Sequence, residues 1–123
     1  MTTSNKKHWG TSTTVHSTEN SYVDIALIKN GGFCSKHVHH GMDNMFIVLE
    51  GTLKVVQYFE RDLTVETFLT VENNQLTVPK GINHQFFAYE DTTLVEIYTD
   101  SGLPVDKLDI VRWSHGGENW REV

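Results

Sequence analysis

An all-β chain, closed into an antiparallel sandwich or barrel, is what this sequence predicts. Three observations predict it. Runs of four to nine residues rich in Val, Ile, Thr, Phe, Tyr and Leu recur along the chain. Turn-forming stretches separate them at regular spacing. No helix-period run of useful length competes, apart from 104–111, where a short helix or an irregular segment fits equally well.

Taken in order, the expected strands are Tyr22–Lys29, Phe33–His39, Met45–Glu50, Thr52–Phe59, Leu63–Val71, Gln75–Val78, His84–Tyr89 and Thr92–Thr99. The breaks between them are Asn30-Gly31-Gly32, Gly41-Met42-Asp43-Asn44, Glu60-Arg61-Asp62, Glu72-Asn73-Asn74 and Pro79-Lys80-Gly81. Glycine supplies positive φ and proline fixes φ, so these are turns with a mechanism. Residues 1–20, rich in Thr, Ser and Asn with Trp9 and Val15 as anchors, form an arm or an edge strand. Residues 22–99 form the barrel core, and 104–123 a C-terminal segment.

The 123 residues fit one domain spanning 1–123. No run of about 18 apolar residues is present, so no membrane span is expected. The polar stretch Met1–Lys7 lacks the apolar core of a signal peptide, and a cytoplasmic location is expected. A net charge of -6 without a basic stripe argues against nucleic-acid binding. One small anionic ligand held by a few local donors remains compatible with that charge. The single cysteine, Cys34, excludes an intrachain disulfide and suits a reducing compartment. A thiolate ligand at 34 is considered because His37 lies three residues on. Strand alternation sets Cys34 on the face opposite 35, 37 and 39, so a buried, inert thiol is expected.

His37 and His39 stand two apart in an expected strand, which places both imidazoles on one face. Asn44 begins the strand returning from the next turn, near His39. His84 opens a later strand, aimed by Pro79-Lys80-Gly81. Three imidazoles and an oxygen donor suit a divalent first-row metal such as Zn, Mn, Fe, Ni or Co. With four protein ligands on an octahedral ion, two positions remain for water or substrate.

The spacing Gly31, His37, His39, Asn44, Gly51 resembles the first motif of the cupins, and Pro79, Gly81, His84 resembles the second. The resemblance implies a double-stranded β-helix, the jelly-roll cupin barrel, with a pocket opening at one end. Where cupins carry Glu, this chain has Asn44, with Asp43 beside it. Asn44 in register is preferred, because a one-residue slip would reverse the faces of the following strand. A neutral amide donates more weakly than a carboxylate, so metal affinity is expected to be lower than with Glu.

Within the cupins the chain resembles the mannose-6-phosphate isomerase-like (type II) domain at the C-terminal end of mannose-1-phosphate guanylyltransferases. Trp9-Gly10, His37-Val38-His39-His40, Leu94-Val95-Glu96-Ile97 and Asp109-Ile110-Val111-Arg112 carry that resemblance, over roughly 8–112. It implies interconversion of mannose 6-phosphate and fructose 6-phosphate. The chain departs from the pattern at Asn44 and again after Arg112, where Trp-Ser-His-Gly-Gly-Glu-Asn-Trp-Arg replaces the usual acidic tail. A diverged sugar-phosphate or nucleotide-sugar isomerase or epimerase is therefore expected. The alternatives are a non-catalytic ligand-binding cupin and an Fe(II)-dependent dioxygenase.

Glu96 alternates with Val95 and Ile97, so it either points inward as a general base or ligand-orienting group, or faces solvent. Phe46, Gln57, Tyr58 and Phe86 are expected to line the pocket, the two phenylalanines chiefly as core. Lys80 or Lys36 is the candidate for a phosphate at its mouth. His40 is expected to face away from the site, and His8, His16 and His115 to lie on the surface. Exposed edges on a small sheet invite pairing, so a homodimer is expected, with the N-terminal arm as the segment to exchange.

Overall fold

A computed structural model describes residues 3–123. The strands are β1 (Thr3–Lys7), β2 (Gly10–Ser17), β3 (Ser21–Ile28), β4 (His37–Val38), β5 (Asp43–Glu50), β6 (Leu53–Tyr58), β7 (Thr64–Leu69), β8 (Gln75–Val78), β9 (Asn83–Ala88), β10 (Thr92–Thr99) and β11 (Val111–Arg112). A single 3-10 turn, Trp120–Glu122, ends the chain. The strands form a six-stranded sheet ordered β1-β2-β3-β10-β5-β8 and a five-stranded sheet ordered β11-β4-β9-β6-β7. All strand pairings are antiparallel. Among the described residues no helix is long and apolar enough to cross a membrane.

Period-two burial explains why these segments are strands. In β10, Thr92, Leu94, Glu96 and Tyr98 are buried and alternate with half-buried residues; in β9, His84, Phe86 and Ala88 do the same. The inward sets meet between the sheets in a core of Ile28, Phe46, Val48, Leu53, Val55, Leu69, Phe86 and Leu94, with Trp9 packed edge-on to Phe86 at 5.2 Å. Burying a side chain of this size stabilises the fold by roughly 1.5–3 kcal/mol. A second cluster, Tyr22, Met42 and Tyr98, closes the same end of the barrel as the histidines.

Two glycines sit at turns with a positive φ that strains other residues. Gly51 turns β5 into β6 at φ 97, and a Cβ there would lie 2.4 Å from the Asp91 carbonyl oxygen. Gly81 has φ 85 and donates its N–H to the His39 carbonyl, so the turn before β9 is tied to the histidine strand.

The structure narrows one expected strand and resolves two segments left open by the sequence. The run expected as Phe33–His39 is regular only at His37–Val38. Before it, the Phe33 N–H bonds to Gly117 and the Cys34 N–H to the Phe86 carbonyl, so the backbone is shared between β9 and the C-terminal tail. The N-terminal residues form the hairpin β1–β2, which pairs with β3 of the same chain. Residues 104–110 are irregular, and 111–112 add a short edge strand to β4.

Candidate metal centre

The five-stranded sheet positions three imidazoles. His37 on β4 lies directly opposite His84 on β9, a cross-strand pair with ring centroids 4.4 Å apart. His39 follows β4 on the same side, 4.9 Å from His37 and 5.4 Å from His84. One ring nitrogen from each of the three lies within 4.8 Å of the others, and all three residues are buried.

What orients the rings is local for two of them. His37 turns its Nδ1 back to the Ser35 carbonyl at 2.7 Å, and His84 turns its Nδ1 back to the Ile82 carbonyl at 2.9 Å. In each case the acceptor lies two residues earlier. His39 instead donates from Nδ1 to the Asp109 carbonyl at 2.7 Å, seventy residues away. A carbonyl accepts only, so each Nδ1 carries the proton and each Nε2 keeps its lone pair. Burial draws all three rings below the ordinary histidine range, His84 to about 4, with neighbouring imidazoles adding to the effect at His37 and His84. The rings are therefore neutral at pH 7.

The six-stranded sheet supplies the facing groups. Asn44, on β5, is 1% exposed and donates from Nδ2 to Glu96 Oε2 at 3.4 Å. The Tyr98 hydroxyl donates to the same carboxylate oxygen. Glu96 is thus inward, and burial pushes its carboxyl up to about 7 against the opposing pull of these two donors. The phenols of Tyr22 and Tyr98 stack at 4.4 Å, and burial holds both protonated.

Among the described residues, three buried side-chain polar atoms have no partner: His39 Nε2, His84 Nε2 and Asn44 Oδ1. Such atoms are uncommon in folded proteins, because an unsatisfied buried acceptor costs about 1–3 kcal/mol. All three are lone-pair donors without a proton. Together with His37 Nε2 they make a set of three neutral nitrogens and one amide oxygen, which fits a divalent first-row cation. Glu96 fixes which way the Asn44 amide faces, leaving the carbonyl oxygen for the ion. Asp43, the alternative donor, accepts from the Lys80 N–H instead, and it is not in the cluster.

His37, His39, Glu96 and Tyr98 open into a cavity of about 800 Å³, and His84 and Asn44 lie outside its lining. Trp9, Tyr22, Asp24, Phe46, Phe86, Glu96 and Tyr98 contribute to its wall, with Lys6, Lys7, Lys107 and Arg112 among the groups around it. Four of the chain's ten lysines and arginines therefore converge on one opening of a protein with net charge -6. Lys107 bonds to Thr14 and lies over the Tyr22 ring, and Thr14 donates to Asp24 at 2.6 Å.

Several expected positions are corrected. Tyr58 does not line the cavity: it shares the outward side of β6 with Lys54, donates to Gln85 at 2.8 Å and lies under the Lys36 ammonium. Gln57 is buried and paired in register with His84, yet it too is outside the cavity wall. Lys36 is taken up by that aromatic ring, and Lys80 by Asp100, so neither reaches the opening. Cys34 shares the cavity wall with Ser35 and His37, because the irregular backbone at 33–36 breaks the alternation. Its Sγ accepts the Phe86 N–H at 3.1 Å and burial pushes the thiol up, which leaves it inert. His8 and His115, expected on the surface, are exposed but border the cavity.

Tyr22, Asp24 and Tyr98 escaped the sequence reading, and Asp109 entered it only through the resemblance, with no role in the site. Tyr98 stands two residues from Glu96 in an alternating strand, a signal that was present. Asp109 carries no local signal for its role. Its carbonyl holds His39, and its carboxylate accepts the N–H groups of His40 and Gly41.

With this geometry in hand, comparison with known proteins decides the family. A family model described as Mannose-6-phosphate isomerase C-terminal matches residues 1–115. The chain belongs to that family. No curated protein matches it. Among solved structures, oxalate decarboxylase from Bacillus subtilis superposes with a TM-score of 0.78 at 16% identity, over 91% of this chain and 30% of that one. CapF with the inhibitor 3-isopropenyl-tropolone superposes with a TM-score of 0.75 at 17% identity, over 93% and 34%. A further structure of the decarboxylase, described for its Mn(II) centres, gives 0.75 at 15% identity, over 91% and 30%. At these identities the likeness establishes the cupin fold. The chain spans about a third of the length of these structures.

Proposed function

We propose that this cupin binds a divalent metal through His37, His39, His84 and Asn44 and acts on a small anionic ligand of the sugar-phosphate class, as an isomerase or epimerase. One observation carries the metal reading: buried, proton-free donor atoms of His39, His84 and Asn44 lack partners, and ring nitrogens of His37, His39 and His84 lie within 4.8 Å of one another. The family match and the Mn(II) centres described for the decarboxylase support it.

When bound, the metal would supply Lewis-acid polarisation of sugar oxygens. The chain's own residues supply the rest. Lys6, Lys7, Lys107 and Arg112 draw an anion to the opening, and Phe46, Phe86 and Trp9 keep the floor apolar. Glu96 reaches the cavity with a carboxyl poised near neutrality, the range in which one group both accepts and returns a proton. Tyr98 and Asn44 both donate to its Oε2, so Oε1 is the oxygen assigned to proton transfer.

The test is calorimetric titration of the metal-free protein with Mn, Fe, Co, Ni and Zn, followed by mannose 6-phosphate in D2O. The expected outcome is stoichiometric metal binding, lost in the His37→Ala/His39→Ala protein, and solvent deuterium appearing in the sugar. Glu96→Gln should stop deuterium uptake while sugar-phosphate binding persists. Binding of the sugar without deuterium uptake under any metal would establish a binding protein instead. Oxygen consumption with iron alone would establish a dioxygenase.

A further inference from the structure

Beyond the metal cluster, the cavity holds a second group of polar side chains that the proposed chemistry leaves unused. They stand on β2 and β3, on the inward side of the six-stranded sheet. Register sets them beside residues already described: Tyr22 is opposite Tyr98, Asp24 is opposite Glu96, and Thr14 is opposite Asp24. Thr14, Tyr22 and Asp24 all line the cavity. Asp24 is a half-buried carboxylate with no ion pair among the described residues, in a wall that also carries four cations. Its Oδ1 accepts from the Thr14 hydroxyl at 2.6 Å and its Oδ2 from Ser12 at 3.4 Å, so each oxygen keeps a lone pair. Tyr22 is 6% exposed, yet its hydroxyl forms no hydrogen bond with any described residue. Phenols buried to this degree ordinarily find a partner. The Thr14 oxygen, its proton given to Asp24, accepts from the Lys107 ammonium, which lies over the Tyr22 ring. An ammonium has three N–H groups, so Lys107 has others left for a ligand.

We infer that Asp24 and Tyr22 bind the hydroxyl groups of the ligand, with Lys107 beside them taking its anionic group. This assignment rests on the sugar-phosphate reading and sharpens it, and it does not depend on the metal. A carboxylate only accepts, and a phenol donates. The pair therefore suits neighbouring oxygens of a polyol, where one hydroxyl donates to Asp24 and the next oxygen accepts from Tyr22. Other ligand chemistry fits worse. A carboxylate or phosphate set against Asp24 meets like charge in a half-buried place. A cation first meets Lys6, Lys7, Lys107 and Arg112 around the opening. The Thr14 hydroxyl separates the ammonium from the Asp24 carboxylate, so the wall presents a hydroxyl-binding end and an anion-binding end side by side. Inward residues paired across neighbouring strands stand about 5 Å apart at Cβ. A hydroxyl held by Asp24 thus brings its carbon beside Glu96, where the proposed proton transfer takes place.

Calorimetric titration of the full chain with mannose 6-phosphate, mannose and inorganic phosphate tests it. Wild type is expected to bind all three, mannose 6-phosphate most tightly. Asp24→Asn should weaken both sugars at least about 10-fold, the worth of a hydrogen bond to a charged group, and leave inorganic phosphate unchanged or tighter. Tyr22→Phe keeps the ring and its stack on Tyr98, and it should weaken the sugars alone. Should Asp24→Asn fail to fold by circular dichroism, Tyr22→Phe decides. Lys107→Met should do the reverse, and unchanged phosphate binding there removes Lys107 from the assignment. Folded variants at 22 and 24 that weaken the sugars no more than inorganic phosphate overturn the hydroxyl contacts and leave the sugar-phosphate reading standing. Mannose binding that is lost in those variants, with no response of wild type to inorganic phosphate, keeps the hydroxyl contacts and overturns the sugar-phosphate reading. A wild type that binds none of the three overturns both.

Discussion

The two sheets bring opposite chemistry to one cavity. The five-stranded sheet offers nitrogen: three imidazoles, each with its proton committed to a backbone carbonyl and its lone pair free. The six-stranded sheet offers oxygen: Asn44, Glu96, Tyr22 and Tyr98, joined in part by hydrogen bonds to a single carboxylate oxygen. Burial acts on both walls and moves them in opposite directions, lowering the imidazoles and raising the carboxyl, so that at pH 7 the imidazoles are neutral and the carboxyl is only partly ionised. A site of this kind keeps most of the charge of any cation it binds. That charge, with the lysines and arginine around the opening, favours an anionic ligand.

Breaking the nitrogen wall should have the largest effect. His84→Ala removes one of three imidazoles and should weaken metal binding at least 100-fold, measured by calorimetry. The oxygen wall is probed by Asn44→Glu, which adds a charged donor beside Glu96. Metal affinity should rise about 10-fold or more, while the metal-free protein loses about 1–3 kcal/mol in urea denaturation, because two carboxyls then share one buried site.

The opposed shifts give a third test, in the pH dependence of the metal-free protein. For His84, the unfolded chain binds the extra proton between about 4 and the ordinary 6.5, so its contribution to stability falls as pH drops through that window. For Glu96, the folded chain holds the extra proton between the ordinary 4.5 and about 7, so its contribution is full below 4.5 and is lost as pH rises through 7. The two slopes oppose each other from 4.5 to 6.5. Glu96→Gln should leave the histidine slope alone, and denaturation midpoints should then rise more steeply with pH than in the wild type. An unchanged slope would mean that Glu96 titrates normally.

The smallest effect is expected at Asp109→Asn. This change keeps the carbonyl that holds His39 but weakens the carboxylate's grip on the N–H groups of His40 and Gly41. Metal affinity should fall about 10-fold, with stability down by about 1 kcal/mol.

The outer faces of the sheets differ as well. On the five-stranded sheet the C-terminal tail is laid down as a cover. The Trp120 indole donates to the Ala88 carbonyl, Gly117 bridges Phe33, and the Lys54 ammonium sits among Phe87, Tyr89 and Trp120. Among the described residues, the other sheet has no such cover.

How much of this was legible in the sequence follows from the range of the forces involved. Which residues share a face depends on a period of two along one strand. His37 with His39 could therefore be read from spacing alone, whereas Asn44 as the facing donor rested on the resemblance and Glu96 stayed open between inward and solvent-facing. The same rule, taken past the strand's true limits, misplaced Cys34, and at Tyr58 it was available but not applied. The tautomer of His39 and the direction of the Asn44 amide depend on partners 70 and 52 residues away, and the raised carboxyl of Glu96 depends on its burial between the sheets. No local pattern encodes those contacts. Only closing one sheet over the other brings the Asp109 carbonyl to the ring, and excludes the water that would otherwise have satisfied every one of these groups.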